Sequence, residues 1–179
     1  MPQKAPSIMM RTMRSPNRAR EARWMSESLS YEEYLERHGS LTYTNVGTSM
    51  LPLLREGRDL FTLVPKRGRC RVGDVVLYRR PPDRWVLHRV VAVLPEGYLI
   101  LGDNCVARER VAEEDVIAVM VGFVRCGREH SVDELAYRVY TRAIIVLERP
   151  RVLLKRMLSA ARRRVSKAVN EALEARMHR

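Results

Sequence analysis

The sequence predicts a mainly β protein of the α+β class, in which a small, coiled antiparallel β domain is flanked by helices. Between residues 40 and 126, short apolar runs alternate with turn signals such as PPD at 81–83 and PEG at 95–97. Short strands with turns between them are typical of antiparallel sheets. On either side of this region, a serine followed three residues later by a glutamate marks the start of a helical pattern.

Five segments of the β region have the composition of strands, namely 58–64, 74–78, 84–94, 98–101 and 116–124. The longest of them, 84–94, alternates its apolar side chains between two faces. The turn signal that follows it favours a hairpin with 98–101. Together these segments predict one β domain at 40–126.

The residues before the β domain divide into two parts. Residues 1–29 contain three prolines, several basic residues and no periodicity, which predicts a flexible basic arm. Residues 30–39 are predicted to form a short helix, because Ser30 and Glu33 form a capping box and Gly39 suits a C-terminal cap.

The residues after the β domain, 131–179, are predicted to form a basic amphipathic helical extension. Ser131 and Glu134 form a second capping box, and Pro150 is expected to interrupt the helix. Beyond Pro150, apolar residues recur at helical spacing, while most arginines and lysines lie off that stripe. The apolar face fits packing on the β domain or on a second chain, and it also fits peripheral contact with a membrane through 151–179.

The net charge of +12 is concentrated at the two ends of the chain. Residues 1–30 contribute +4 and residues 131–179 contribute +7, which leaves +1 for the residues between them. Basic ends of this kind suit an acidic partner or leader peptide, an anionic membrane or nucleic acid, and they also occur on surfaces that are merely solvated. Nucleic acid ranks last among these partners.

The cysteines and the hydropathy indicate a compartment. Three widely separated cysteines, Cys70, Cys105 and Cys126, predict free thiols in a reducing environment. No apolar stretch approaches the roughly 18 residues that a membrane-spanning helix needs. We therefore expect a cytoplasmic protein, with peripheral membrane contact as the alternative. No pair of cysteines has metal-ligand spacing.

Three short motifs contain the candidate site residues. GTSMLP at 47–52 places a serine after a glycine that permits a tight turn. VLHRV at 86–90 interrupts an apolar strand with a histidine and an arginine, and GDN at 102–104 is followed by Glu109. Taken singly, each motif also fits an ordinary structural feature, respectively a turn, a core histidine and an Asx-type turn.

The order of these motifs resembles that of signal peptidases and LexA-type repressor peptidases. That family has Gly/Ser-x-Ser-Met-x-Pro, then Gly-Asp with two hydrophobic residues, then a basic residue before Arg-Val, then Gly-Asp-Asn. All four blocks occur here in order over about 45–125, the second as GDVV at 73–76. Because the basic residue is His88 and not lysine, the chain resembles the histidine branch, which includes the endoplasmic-reticulum and archaeal signal peptidases.

The resemblance implies a serine endopeptidase that needs no metal or cofactor. Ser49 is then the nucleophile and His88 the general base, a role that suits a histidine because its ordinary pKa is about 6.5. Glu109, six positions after Asp103, stands where the branch has the acidic residue that orients the histidine. Asp103 is expected to hold the loops together, although the two roles can be exchanged. Activity is expected to rise with pH through about 6 to 7.5.

Four further residues are expected to shape the site, namely Gly47, Thr48, Met50 and Asn104. Many signal peptidases have a serine two positions before the nucleophile, and its hydroxyl helps to bind the oxyanion. Gly47 occupies that position here. The oxyanion is then expected to be bound by backbone N–H groups around Ser49, with help from Thr48.

The absence of a spanning helix in the sequence is a second departure from signal peptidases. We therefore expect a peptide or protein precursor as substrate, from which a leader or signal-like segment is removed. The peptide is expected to dock as an added strand, with small residues before the cut. The alternatives are a LexA-like self-cleaving regulator that binds nucleic acid and a non-catalytic peptide-binding module on the same fold. A histidine in place of lysine argues against the first, and a serine-directed activity probe distinguishes the second.

Overall fold

The structure is a computed structural model that describes residues 30–82 and 84–177, so the predicted arm at 1–29 lies outside the described residues. Within them, three helices accompany an eight-stranded sheet. The helices are α1 (Tyr31–His38), α2 (Leu135–Val146) and α3 (Glu148–Met177). The strands are β1 (Leu41–Thr44), β2 (Leu60–Pro65), β3 (Val75–Arg80), β4 (Arg84–Leu94), β5 (Gly97–Leu101), β6 (Glu109–Ala112), β7 (Val116–Arg125) and β8 (Arg128–Ser131). The predicted mainly β, α+β class is confirmed.

The sheet has the strand order β1-β2-β7-β3-β4-β5-β6, and β8 pairs with β7. Every one of these pairings is antiparallel. β7 returns between β2 and β3 and so joins the β1–β2 hairpin to the meander formed by β3, β4, β5 and β6. The long strand β4 lies between β3 and β5, which places the middle of β4 in the interior of the sheet.

Most of the predicted strands are observed close to their predicted positions. β4 begins and ends at the predicted residues, and its predicted hairpin with β5 is confirmed. The other four differ from the prediction by at most two residues at either end. β1, β6 and β8 are missing from the prediction, because a strand of four residues is too short to show a clear alternating pattern.

Buried side chains form two clusters, one on each face of β3. Val75 and Leu77 belong to the larger cluster, which extends over β1, β2, β4, β7 and the two helices α1 and α2. Val76 and Tyr78 belong to the smaller cluster, together with residues of β4, β5, β6 and β7. Successive residues of a strand point to opposite faces, so β3 separates two apolar layers.

The capped helix predicted at 30–39 is confirmed as α1. The Ser30 hydroxyl accepts a hydrogen bond from the Glu33 backbone at 3.2 Å, and the Glu33 carboxylate accepts one from the Ser30 backbone at 2.9 Å. Gly39 ends the helix with a φ of 72°, a left-handed conformation that glycine adopts readily. Leu35 attaches the helix to the larger cluster.

The second helical region begins later than predicted. Ser131 is the last residue of β8, and α2 begins at Leu135. The Glu134 carboxylate accepts a hydrogen bond from the Ser131 backbone at 2.9 Å, and the Glu134 backbone donates to the Ser131 carbonyl at 3.3 Å. These bonds close a turn between the strand and the helix. The expectation of helical structure from residue 131 is therefore wrong for 131–134.

The break between α2 and α3 lies at Leu147, three residues before Pro150. Pro150 itself lies in the first turn of α3, where its missing N–H leaves no helical hydrogen bond unmade. α2 packs on the sheet through Tyr137, whose ring centroid lies 5.8 Å from that of Phe123 in the larger cluster. None of the helices in the described part of the chain is long and apolar enough to cross a membrane.

Candidate active site

Ser49 lies in the connection between β1 and β2, on a loop that is anchored on both sides. Gly47 has a φ of 81°, which glycine adopts without strain, and the buried Asn45 side chain donates to its carbonyl at 2.9 Å. Met50 is fully buried in the larger cluster. Thr48 is exposed and Ser49 is half-buried, so the serine lies at the rim of the core.

The loop that begins at Gly102 is bonded directly to the Ser49 loop. The backbone N–H of Asn104 donates to the Ser49 carbonyl at 2.7 Å, and the Asn104 amide donates to the Thr48 carbonyl at 3.0 Å. Among the residues that the structure describes, Ser49 Oγ and the backbone N–H groups of Ser49 and Met50 have no hydrogen-bond partner. The segment therefore offers a hydroxyl and nearby backbone donors to a ligand.

His88 lies in the interior of β4, opposite Val76 of β3, and is buried. A Cβ atom added to Gly102 would lie 2.9 Å from His88 Nε2 and 2.8 Å from the Ser49 carbonyl oxygen. The histidine and the serine backbone therefore approach one point from two sides. Any side chain at position 102 would force them apart, so this position requires glycine.

The other ring nitrogen of His88 faces Tyr78 and Glu109. Nδ1 lies 3.3 Å from the Tyr78 hydroxyl oxygen and 3.9 Å from Glu109 Oε1. Tyr78 donates its own proton to Glu109 Oε2 at 2.9 Å, so its oxygen can only accept from the histidine. Nδ1 therefore carries the proton, and Nε2, the nitrogen near Ser49, keeps its lone pair. This tautomer is the one that can accept a proton from a serine.

Arg80 holds the Glu109 carboxylate from another direction. Its Nε donates to Oε2 at 2.8 Å, and its Nη2 donates to Oε1 at 2.5 Å and to the Tyr78 hydroxyl at 3.1 Å. Tyr78 and Arg80 are two residues apart on β3, so both side chains leave the same face of the strand. The arginine fixes the carboxylate beside the histidine and neutralises part of its charge.

Burial lowers the pKa of His88 to about 4, although the neighbouring Glu109 acts in the opposite direction. The Arg80 guanidinium adds to the lowering, and Asp103 opposes it. The imidazole is therefore neutral at ordinary pH. This pKa lies below the range of about 6 to 7.5 expected from the sequence, because the loss of hydration outweighs the attraction of one partly neutralised carboxylate.

Asp103 is bonded to Arg89 and not to the histidine. Arg89 Nε and Nη2 donate to its two carboxylate oxygens at 2.8 and 2.7 Å, and both side chains are fully buried. The Tyr140 hydroxyl also donates to Asp103, at 2.8 Å. Arg89 Nη1 reaches the Gly73 carbonyl at 2.8 Å and the Thr141 hydroxyl at 3.1 Å. This ion pair therefore joins the loop of Asp103 to β4 and α2.

The basic side of α3 contacts the same loop. Lys155 donates to the Asn104 backbone carbonyl at 2.8 Å and also to its side-chain oxygen. Arg151 donates to the Asp103 backbone carbonyl. Burial lowers the pKa of Lys155, which lies against the loop. Basic residues of α3 thus face the β domain. Packing of the apolar face on the β domain, one of the alternatives that the sequence left open, is not observed at Leu154 and Met157, which are exposed.

Cys105 also lies beside the site, with Sγ 2.8 Å from the position of a Cβ at Gly102. Burial raises the pKa of this thiol, so it stays protonated and is a poor nucleophile. The prediction of free cysteines is confirmed. Across residues 30–82 and 84–177, no three His, Cys, Asp or Glu side chains are grouped in a way that could hold a metal ion.

The structure brings the predicted site residues into one region. Ser49, His88 and Glu109 lie at its centre. The other predicted residues lie in the two loops that hold Ser49 in place, namely Gly47, Thr48, Met50, Asp103 and Asn104. The sequence interpretation missed Tyr78 and Arg80. Their spacing of two in a predicted strand is a signal that both share one face, but the sequence did not show that this face meets Glu109.

Comparison of the chain with protein-family models, with curated proteins and with solved structures finds no match. The chemistry of the site therefore rests on its own side chains. A half-buried serine adjoins a buried, neutral histidine, and a tyrosine and a carboxylate fix the tautomer of that histidine. These are the groups that proton transfer from a hydroxyl to an imidazole requires, although Ser49 Oγ and His88 Nε2 are not hydrogen-bonded to each other in the structure.

Proposed function

We propose that this chain is a serine endopeptidase of the signal-peptidase/LexA-like kind, in the histidine branch. The observation that carries the proposal is the convergence of the Ser49 backbone and His88 Nε2 at Gly102. The opposite nitrogen of the same ring is directed at a carboxylate, Glu109. The four sequence blocks support the proposal independently, because they supply these residues in the order found in the family.

In the proposed reaction, Ser49 Oγ attacks the scissile carbonyl carbon while His88 Nε2 takes the hydroxyl proton. Backbone N–H groups of Ser49 and Met50 stabilise the charge on the carbonyl oxygen. The imidazolium then donates its proton to the leaving nitrogen, the C–N bond breaks, and an acyl ester remains on Ser49. His88 next deprotonates a water molecule, which attacks the ester and releases the second product.

Glu109 is the residue proposed to orient the histidine. Its carboxylate lies 3.9 Å from His88 Nδ1, and the Tyr78 hydroxyl bridges the two groups. A negative charge at this distance stabilises the imidazolium that forms in each step. Asp103 supports the site in a different way, because Arg89 and Tyr140 already engage its carboxylate.

The proposed substrate is an extended peptide or a protein precursor that loses a leader or signal-like segment. β1 is at one end of the strand order, and the chain continues from it directly into the Ser49 loop. A peptide that added itself as a strand along β1 would be led toward Ser49. The family resemblance implies small residues before the cut bond.

The test of this proposal uses wild-type protein and the Ser49→Ala variant. Each is incubated with a fluorophosphonate probe and, separately, with a pool of synthetic peptides whose products are identified by mass spectrometry. We expect the probe to label Ser49 of the wild type, and the variant to lose both labelling and cleavage. Circular dichroism checks that the variant is folded. Residual cleavage within about tenfold of wild type would rule out Ser49 as nucleophile.

The same experiment separates the two alternatives. A wild-type protein that binds peptides but neither reacts with the probe nor cuts any peptide is a binding module on this fold. A wild-type protein that cuts its own chain at one bond, and leaves the peptide pool intact, is a self-cleaving regulator. Either result would overturn the proposal of a peptidase that acts on other chains.

A further inference from the structure

The outer face of α3, defined by Leu153, Leu154, Met157 and Leu158, is turned away from the β domain. Each of these four side chains is more than half exposed. The opposite side of the helix, with Arg151 and Lys155, holds the loop of the candidate site. With 3.6 residues per turn, the four apolar residues fall on one side of the helix. The apolar side of the helix is thus exposed to solvent, and the side with Arg151 and Lys155 contacts the β domain.

Positive charge borders this outer face along the helix. Between residues 149 and 170 the sequence contains eight arginines and lysines and no aspartate or glutamate. Arg162, Arg163 and Arg164 are exposed and follow the apolar residues by one turn. Glu148, at the start of the helix, is engaged by Arg108 at 2.6 Å. The exposed leucines and methionine are therefore combined with three exposed arginines on the same helix.

Exposed apolar residues continue on α2. Leu135, Val139 and Val146 recur at helical spacing, and each is more than half exposed. Leu147, between the helices, is also more than half exposed. Tyr137 on the same helix is buried, so the packed and the exposed sides of α2 are distinct. The exposed apolar surface thus extends over both C-terminal helices.

We propose that α3 docks on an anionic lipid bilayer, with its outer face inserted at the interface and its arginines paired with phosphate headgroups. Apolar side chains bordered by arginine are the pattern of helices that lie in a membrane surface. A second copy of the chain is a poorer occupant, because two such faces would bring Arg162, Arg163 and Arg164 of both copies together. The proposal does not depend on peptidase activity.

The experiment measures cosedimentation of the full-length protein with vesicles. One set of vesicles is phosphatidylcholine alone, and the other is an equal mixture of phosphatidylcholine and phosphatidylglycerol. We expect binding to the mixed vesicles that weakens as salt is raised, and little binding to the neutral ones. The Ser49→Ala variant should bind as the wild type does, so loss of catalysis and loss of docking are distinguishable.

Two variants and their matched controls locate the contact. Leu154→Glu with Met157→Glu should weaken binding about tenfold or more, whereas Val93→Glu, an exposed valine on β4, should not. Neutralising Arg162, Arg163 and Arg164 to glutamine should weaken binding on the order of a hundredfold at low salt. Neutralising three exposed arginines elsewhere, Arg37, Arg67 and Arg128, should have a smaller effect.

Several results would overturn the proposal. One is binding to neither set of vesicles, and another is equal binding to both. A third is binding that the α3 variants leave unchanged, which would assign it to another basic segment. A fourth is a dimer, seen by sedimentation velocity without lipid, that Leu154→Glu with Met157→Glu dissociates. Melting curves of each variant show whether a loss of binding comes from unfolding.

Discussion

The protein contains two arginine–carboxylate clusters, each completed by a tyrosine, and they differ in exposure. In the buried cluster, Arg89 and Asp103 have no exposed side-chain surface. In the open cluster, the Arg80 and Glu109 side chains are about one-third exposed, at 36% and 30%. Both arginines bind their carboxylate through two nitrogens. The same type of ion pair, arginine with a carboxylate, thus occurs once fully buried and once partly exposed.

The difference lies in what each carboxylate can still do. The Asp103 carboxylate is engaged by the arginine and by Tyr140, and those partners are themselves fixed by the sheet and by α2. The Glu109 carboxylate faces a titratable ring, His88, at 3.9 Å. A buried pair is costly to break and suits a structural joint, whereas an exposed pair contributes little stability and can serve chemistry. The predictions that follow test this division of roles.

The largest expected effect is a loss of stability caused by a substitution in the buried cluster. Asp103→Asn would leave the Arg89 charge buried without its partner, which typically costs about 3 to 5 kcal/mol. We expect a loss of this size in the free energy of unfolding, measured by urea denaturation. Glu109→Gln is the matched control in the exposed pair, and its loss should be about 1 kcal/mol or less. Equal losses in the two variants would contradict the assigned roles.

The second largest expected effect is a decrease in stability at low pH, which arises from the protonation of His88 beside the open cluster. The pKa of this histidine is lowered from 6.5 to about 4 in the folded protein, so between those values the unfolded chain binds the extra proton. The stabilisation of the folded protein by neutral His88 is fully present above pH 6.5 and is lost as the pH falls toward 4. The loss should reach about 3 kcal/mol. In His88→Gln this part of the pH dependence should disappear, which denaturation of both proteins at several pH values would show.

The effect on catalysis should be confined to the open cluster. Glu109→Gln removes the negative charge beside His88 and should lower kcat/KM by about a hundredfold or more, because the imidazolium loses its stabilisation. Asp103→Asn, assayed under conditions in which it is folded, should retain more activity. Cleavage rates of the best peptide from the pool provide the measurement. A larger rate loss in Asp103→Asn than in Glu109→Gln would exchange the two roles.

The smallest expected effect concerns the tyrosine of the open cluster. Tyr78→Phe removes the oxygen that accepts from His88 Nδ1 but leaves Glu109 in place. We expect a loss of about tenfold in kcat, with KM little changed, because the hydroxyl positions the ring and does not contact the substrate. Tyr140→Phe, which removes the tyrosine hydroxyl from the buried cluster, is the control. It should lower the melting temperature without that change in kcat.

The dependence of the cleavage rate on pH should follow the pKa of His88. Since His88 must be neutral to accept a proton, the rate on a non-ionising peptide should rise with pH through a single step near 4, and stay constant above about 6. A step near 6.5 would mean that the ring is better hydrated than its position in β4 indicates. The pH dependence of kcat/KM for the wild type measures this.

The parts of the fold that the sequence predicts are those with local signals. β4 is predicted to the residue because its alternating pattern ends at turn residues, and α1 is predicted because its capping box and final glycine lie within ten residues. The four-residue strands are too short to show such a pattern, and pairing with the neighbouring strand stabilises them. Only one bond of the predicted Ser131–Glu134 capping box forms, from the Ser131 backbone to the Glu134 carboxylate, and it lies in a turn because β8 continues to Ser131.

The site was predictable only in part, for a related reason. The motifs identify Ser49, His88 and Glu109, but the contribution of Tyr78 depends on the register of β3 with β4, which sequence spacing does not specify. The pKa of His88 depends on burial by surrounding strands. On α3, the periodicity shows which residues share a face, but it does not show which face packs on the β domain. The hydrogen bonds of Lys155 and Arg151 to the Asp103–Asn104 loop determine that orientation.

The partners of Arg89 have a consequence for the order in which the chain acquires its structure during synthesis. Its bonds to Asp103 and Gly73 span 14 and 16 residues, whereas those to Tyr137 and Thr141 span 48 and 52. A nascent chain that has emerged as far as β7 can form the first two bonds but not the others. The guanidinium then still has unmet donors, and its loop is not yet covered by α2. The loop that pins Ser49 therefore lacks part of its contacts until α2 and the start of α3 have been synthesised.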